Sequence, residues 1–228
     1  MIAALRRVVI MAEMHGRDLT RRHVAMLLLV ALPLSFYLAS TSSGTDAILA
    51  GGVGMAFSVS GATLFSVLSS TEVDQRLVLC GFRPVDLLLG RLLFLGPLGS
   101  LIAGAFSVLM ASVSHPAEAW VMFVGVVAVA LMSIPFGLAV GAAVPRELEG
   151  TLILIGVVGL QLSTSPDSVV AKVLPFFGPR EVIAAGISGH GAVAGPLLLT
   201  AVYGLTLMVA ARILMTGRVE VVTHGEIR

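Results

Sequence analysis

The chain has 228 residues, 57% of them hydrophobic and only 12% charged, and its mean hydropathy is +1.03. Soluble domains are charged at roughly a quarter of their positions, so this composition excludes a soluble domain and points to lipid as the solvent. The formal net charge of +1 and the scattered basic residues give no footprint for nucleic acid, and a single cysteine, Cys80, excludes an intrachain disulfide and a cysteine-built metal site.

The first segment, 1–22, holds five Arg and no apolar core run ending in small residues, so it does not read as a cleavable signal. Ile2, Leu5, Val9 and Ala12 share one helical face, while Arg6, Glu13 and Arg17 lie on another. That pattern predicts a helix lying in the membrane interface.

Apolar runs follow at about 24–40, 47–68, 87–113, 118–143, 150–163 and 193–216. A bilayer core demands roughly 20 residues of helix, because its backbone polar groups find no other partners there. The pattern predicts six spans, the fifth a short one. With the N-terminus inside, 12 of the 14 Lys and Arg fall on the inner side, and only Lys172 and Arg180 fall outside. The positive-inside rule then places both termini in the cytoplasm of a bacterial inner-membrane protein.

The second run carries Gly54, Ser58, Ala62, Ser66 and Ser70 at four-residue spacing, with Ser60 and Thr63 beside them. Such a stripe serves close helix packing. The sharper reading makes Ser58, Thr63 and Ser66 the lining of a substrate path. Between the second and third runs, Glu72 and Asp74 open a short helix whose Val73, Leu77 and Cys80 share a side. Gly81 is placed to end it, and Pro84 to start the next helix. The sequence thus predicts an amphipathic helix and a turn over 71–86, built as a docking surface.

Gly96, Pro97 and Gly99 in the third run, and Pro135 with Gly137 in the fourth, permit bends. The charged turn 145–151 brings Arg146, Glu147 and Glu149 to the inner side. The stretch 163–192 is too apolar for a solvated loop. It predicts two short helices, 169–177 and 181–187, broken by Pro175, Gly178 and Pro179, which half-enter the outer leaflet and return.

Catalytic constellations are weak. No G-x-x-x-x-G-K-[ST] loop occurs, and the only lysine is Lys172, so any ATP dependence must come from another subunit. Gly186, Ile187, Ser188 and Gly189 match the G-x-S-G of rhomboid intramembrane proteases, but the last run supplies no histidine as base. The cores of the runs hold no ionisable residue, which disfavours ion-coupled transport and a charged-ring channel.

The residues 72–91, with an acidic start, Arg76, Leu77, Gly81, Pro84, Leu87–Leu89, Gly90 and Arg91, resemble the E-x-x-x-R…L…P…L-x-G-R stretch of the type 2 ABC-transporter permeases. That family also has an interfacial N-terminal helix, six spans, a cytoplasmic coupling helix and re-entrant outer helices, so the resemblance extends over nearly the whole chain. It implies an all-α fold of one permease domain, 1–228. It further implies a second permease subunit, identical or paralogous, membrane lipid around both, and separate cytoplasmic ATPase subunits that bind ATP and Mg. Glu72, Asp74, Arg76, Gly81 and Arg83, with Arg146, Glu147 and Glu149, are then the expected contacts for the ATPase. No catalytic or metal-ligating residue is expected in this chain. The expected cargo is an amphipathic or hydrophobic molecule such as a drug, antibiotic, peptide or lipid. The alternatives are a haem-exporter permease, whose acidic-Gly-Leu-Glu run is not seen, and a membrane scaffold that transports nothing.

Overall fold

The computed structural model describes residues 2–21, 23–44, 46–165 and 167–225. Among them all regular structure is helical. The helices are α1 (Ile2–Arg21), α2 (His23–Ala39), α3 (Asp46–Ser69), α4 (Thr71–Leu79), α5 (Pro84–Ser114), α6 (Ala119–Ala143), α7 (Glu147–Ser163), α8 (Val169–Val173), α9 (Phe177–Ser188) and α10 (Ala194–Gly225). A 3-10 turn, Thr41–Ser43, joins α2 to α3.

Among the described residues, four helices are long and apolar enough to cross a membrane: α3, α5, α6 and the part of α10 over Ala194–Gly217. The apolar helices α2 and α7 have 17 residues each, the lower end of a spanning length. The interior prolines Pro33, Pro97 and Pro135 lie within helices that continue past them.

The pair α3 and α6 forms the centre, and 67% and 72% of their most apolar windows are buried, against 6% for α10. Small residues decide this. A Cβ on Gly137 of α6 would meet the carbonyl of Ser60 and stand 2.8 Å from Thr63 Cβ. A Cβ on Gly54 of α3 would stand 2.7 Å from Pro33 Cα in α2. Backbones this close gain dispersion contacts, the force that remains between helices when the solvent is as apolar as leucine. The stripe on α3 is therefore a packing surface over much of its length, and Ser58 Oγ adds a 2.8 Å hydrogen bond to Leu29 O of α2. Outward, α10 exposes Leu198, Val202, Leu205 and Ile213, each more than half accessible. A continuous apolar face of this kind is a liability in water and the ordinary surface of a protein in hydrocarbon.

The expected pair of short helices over 163–192 is present with different ends. The first is shorter, stopping at Val173, and the second begins at Phe177, so Gly178 and Pro179 open α9 instead of breaking the chain. Proline in a first helical turn loses only a donor that has no intrahelical partner there. Gly178 is the residue that admits α10: a Cβ there would stand 2.5 Å from Pro196 O. The α9 helix packs against α6 and α10.

The N-terminal helix lies along α5. Met11 and His15 are buried, and a Cβ on Gly90 of α5 would stand 2.5 Å from Met11 Cβ. Of the apolar face expected for this segment, Val9 stays about half exposed, while the side chains of Ile2 and Leu5 lie outside the described residues.

Candidate functional site

Two features meet at one end of the bundle: a short helix held by buried charge, and a cleft opening beside it. The helix is α4. It follows α3 after a one-residue break at Ser70 and ends as its sequence requires. Gly81 takes φ +92, the Gly81 N–H donates to Val78 O at 2.9 Å, and the Phe82 N–H donates to Leu77 O at 3.0 Å. These two bonds make a Schellman turn, which satisfies carbonyls that the helix end leaves open. Pro84 then starts α5, and the Asp86 carboxylate accepts from the Arg83 N–H at 3.2 Å.

Of the acidic residues of α4, Glu72 is exposed while Asp74 is turned inward and buried. Arg91, one helical turn beyond the start of the apolar run of α5, is wholly buried and donates from Nη2 to Asp74 Oδ2 at 2.6 Å and to Ser70 Oγ. Its Nε and Nη1 have no hydrogen-bond partner among the described residues. Burial pushes the Asp74 carboxyl above its ordinary pKa, and the Arg91 charge and the hydrogen bonds from Arg91 and Ser70 draw it back. A second ion pair, Arg7 Nε to Asp86 Oδ2 at 2.8 Å, ties α1 to the start of α5. Both pairs are anchored on the first two turns of α5, which is thereby tied to α4 through Asp74 and to α1 through Arg7.

Around these pairs, Arg76, Gly81 and Arg83 are exposed, as are Arg146, Glu147 and Glu149 in the α6–α7 turn. The Arg146–Glu149 pair spans 3.8 Å at the surface and contributes little. Asp74 differs from the other residues expected to meet a partner. Its carboxylate is engaged by Arg91 inside the chain, so it fixes the helix that presents Glu72 and Arg76.

The cleft, of about 370 Å³, lies between α2, α3 and α7, with α1 and α5 as its floor. Ser58 and Ser66 line it, together with Phe57, Phe65, Leu32 and Leu154, while Asp18 and Glu147 add carboxylates. Thr63 does not line it: it is fully buried, facing α6, and donates to Val59 O at 2.8 Å. His15 also lines the cleft, with its Nε2 buried and without a hydrogen-bond partner among the described residues. Burial first, and the Arg91 charge second, hold its pKa down at about 4, so it is neutral at physiological pH.

The residues expected from the sequence to meet a partner include Asp74 alongside the exposed Glu72, Arg76 and Arg83, but neither the burial of Asp74 against Arg91 nor that of His15 is part of that expectation. Arg91 carried a signal, a lone arginine close inside a long apolar run, which marks a paired and purposeful charge. His15 carried none, because a histidine on a charged helix looks solvated. At the opposite end of the bundle, His190 Nδ1 lies 2.8 Å from the Ser188 carbonyl oxygen, and Ser188 Oγ donates to Ala184 O at 2.9 Å. The G-x-S-G residues thus end α9, with the imidazole directed to a carbonyl and not to the hydroxyl.

No protein-family model matches the chain, and no curated protein matches it in sequence.

Proposed function

We propose that this chain is the membrane-spanning permease subunit of an ATP-driven exporter of the type 2 ABC class, with six spans counting the short helices α2 and α7. In this reading α1 lies in the inner interface, α4 is the coupling helix, and α8–α9 form the re-entrant region of the outer leaflet. Separate ATPase subunits grip α4 from the cytoplasm. The cleft that Ser58 and Ser66 line admits an amphipathic or hydrophobic cargo, and a second permease subunit completes the pathway.

One observation carries the reading: α4 is a surface helix with free polar groups outside and a buried charge clamp inside. A passive connection needs neither. Force applied at Glu72 and Arg76 passes through Asp74 and Arg91 into α5, and through Ser70 into α3. A chain with no phosphate loop supplies no work of its own, and a rigid lever is the part that an external motor requires.

The test is co-purification. Glu72→Ala with Arg76→Ala should leave membrane insertion intact and weaken retention of the ATPase subunit about tenfold or more, since such charges set complementarity and pairing. Unchanged retention and unchanged stimulated ATP turnover would reject the coupling role. Orientation has its own test, because the only cysteine in the sequence, Cys80, is exposed at the end of α4. A membrane-impermeant maleimide should label Cys80 in inverted vesicles and spare it in intact cells.

A further inference from the structure

At the end of the bundle away from α4, a second cavity of about 340 Å³ opens between α3, α6, α7 and α9. Much of its wall is apolar, formed by Val53, Val129, Val158, Phe176 and Ile183. Gln161 of α7 interrupts that wall. The residue is 2% exposed, and among the described residues neither its Oε1 nor its Nε2 has a hydrogen-bond partner. A buried amide with both functions unmet is a destabilised group, and natural proteins keep few of them without a reason. Charges of both signs join it on the lining: Asp46 in the first turn of α3, and Arg180 of α9, whose Nη1 makes one long contact of 3.5 Å to Thr164 O.

We propose that this cavity is a ligand site for a small amphipathic molecule carrying a secondary amide and a carboxylate, as in an N-acyl amino acid or a short apolar peptide. An amide offers one donor and one acceptor, the complement of the Gln161 carboxamide, and a group that only accepts would leave half of it unmet. The Arg180 guanidinium takes the carboxylate. The acyl chain or apolar side chain lies against Val53, Val129 and Phe176. A volume of about 340 Å³ is at the lower end for small-molecule pockets, which selects a compact ligand. This site goes beyond the exporter reading and does not depend on it, since the recognition is local to the four helices.

Equilibrium binding to the full chain in lipid nanodiscs, with empty nanodiscs subtracted, tests the assignment. The probes are N-hexanoylglycine and its ester isostere, O-hexanoylglycolate, which lacks the N–H. The native chain should bind the amide about 5- to 100-fold more tightly than the ester, the range expected when a buried acceptor is met or left bare. Gln161→Leu should abolish that preference, Arg180→Gln should weaken both probes alike, and Val53→Phe should exclude both by filling the cavity. Equal binding of the two probes by the native chain, no saturable binding of the amide at millimolar concentration, or an amide preference that survives Gln161→Leu would each overturn the site. If Gln161→Leu does not fold, the native amide-to-ester ratio and the Val53→Phe variant decide the matter.

Discussion

Replacing Asp74 by Ala isolates the charge clamp on which α4 depends. Arg91 cannot discard its proton, and its side chain is fully buried, so the variant leaves a guanidinium with only the Ser70 hydroxyl as partner. Breaking one side of a buried ion pair costs about 3–5 kcal/mol. The Coulomb term alone, for charge centres about 4 Å apart at an effective dielectric of 20, is about 4 kcal/mol and agrees. For a chain of this size each kcal/mol moves the melting temperature by about 2–4 °C, so the midpoint should fall by about 10 °C. The assay is the monodisperse fraction remaining after heating in detergent. The companion variant, Asp74→Leu with Arg91→Met, removes both charges and leaves none stranded. It should recover most of the loss, because an apolar pair of similar volume replaces a buried ion pair at little or no cost. Asp74→Ala melting within about 2 °C of the native chain, or a double variant worse than the two single changes together, would refute the clamp.

Lowering the pH should expose the buried imidazole of His15. Its folded pKa of about 4 lies below the ordinary 6.5, so between those values the unfolded chain binds the proton and the folded chain does not. Stability from this group is complete above pH 6.5 and is lost as the pH falls toward 4, by about 3 kcal/mol at most. The melting temperature of the native chain should therefore fall relative to that of His15→Leu as the pH drops across that window, and a difference independent of pH would contradict the burial. Gly81→Ala meets open space, so its cost is the backbone alone at φ +92, about 1–2 kcal/mol by thermal melting. Gly137→Val must push α6 away from Ser60 and Thr63 of α3, and should lower stability by about 3 kcal/mol or prevent folding, whereas Gly156→Ala on the open face of α7 should change it by less than about 0.5 kcal/mol. Ser66→Glu places a charge in the cleft and should reduce transport in vesicles at least tenfold, about 1.4 kcal/mol, with normal insertion; export at the native rate would remove the cleft from the path.

Much of the fold is legible in the sequence because lipid leaves few choices. A run such as 119–143 has to be helical, and Gly81 with Pro84 punctuates a chain with the same chemistry in any context. The exposed residues of the candidate site, Glu72, Arg76 and Arg83, were legible for a related reason: charge beside an apolar run marks the water boundary. The sequence reading placed the α9 start too late because a proline reads equally as a breaker and as a first-turn residue. Only the packing of Gly178 on α10 chooses between them.

What the sequence determined alone was local and solvent-driven: helices, their ends, and the apolar length between charges. The tertiary structure decided which polar groups face one another. Asp74 and Glu72 are two residues apart on one short helix with the same composition around them, yet one is clamped to Arg91 and the other is exposed. Likewise Ser66 reaches the cleft while Thr63 packs on α6 and Gln161 is buried with its amide unmet. Helical periodicity states which residues share a face. The close approaches of backbone at Gly54, Gly90 and Gly137 decide what that face meets.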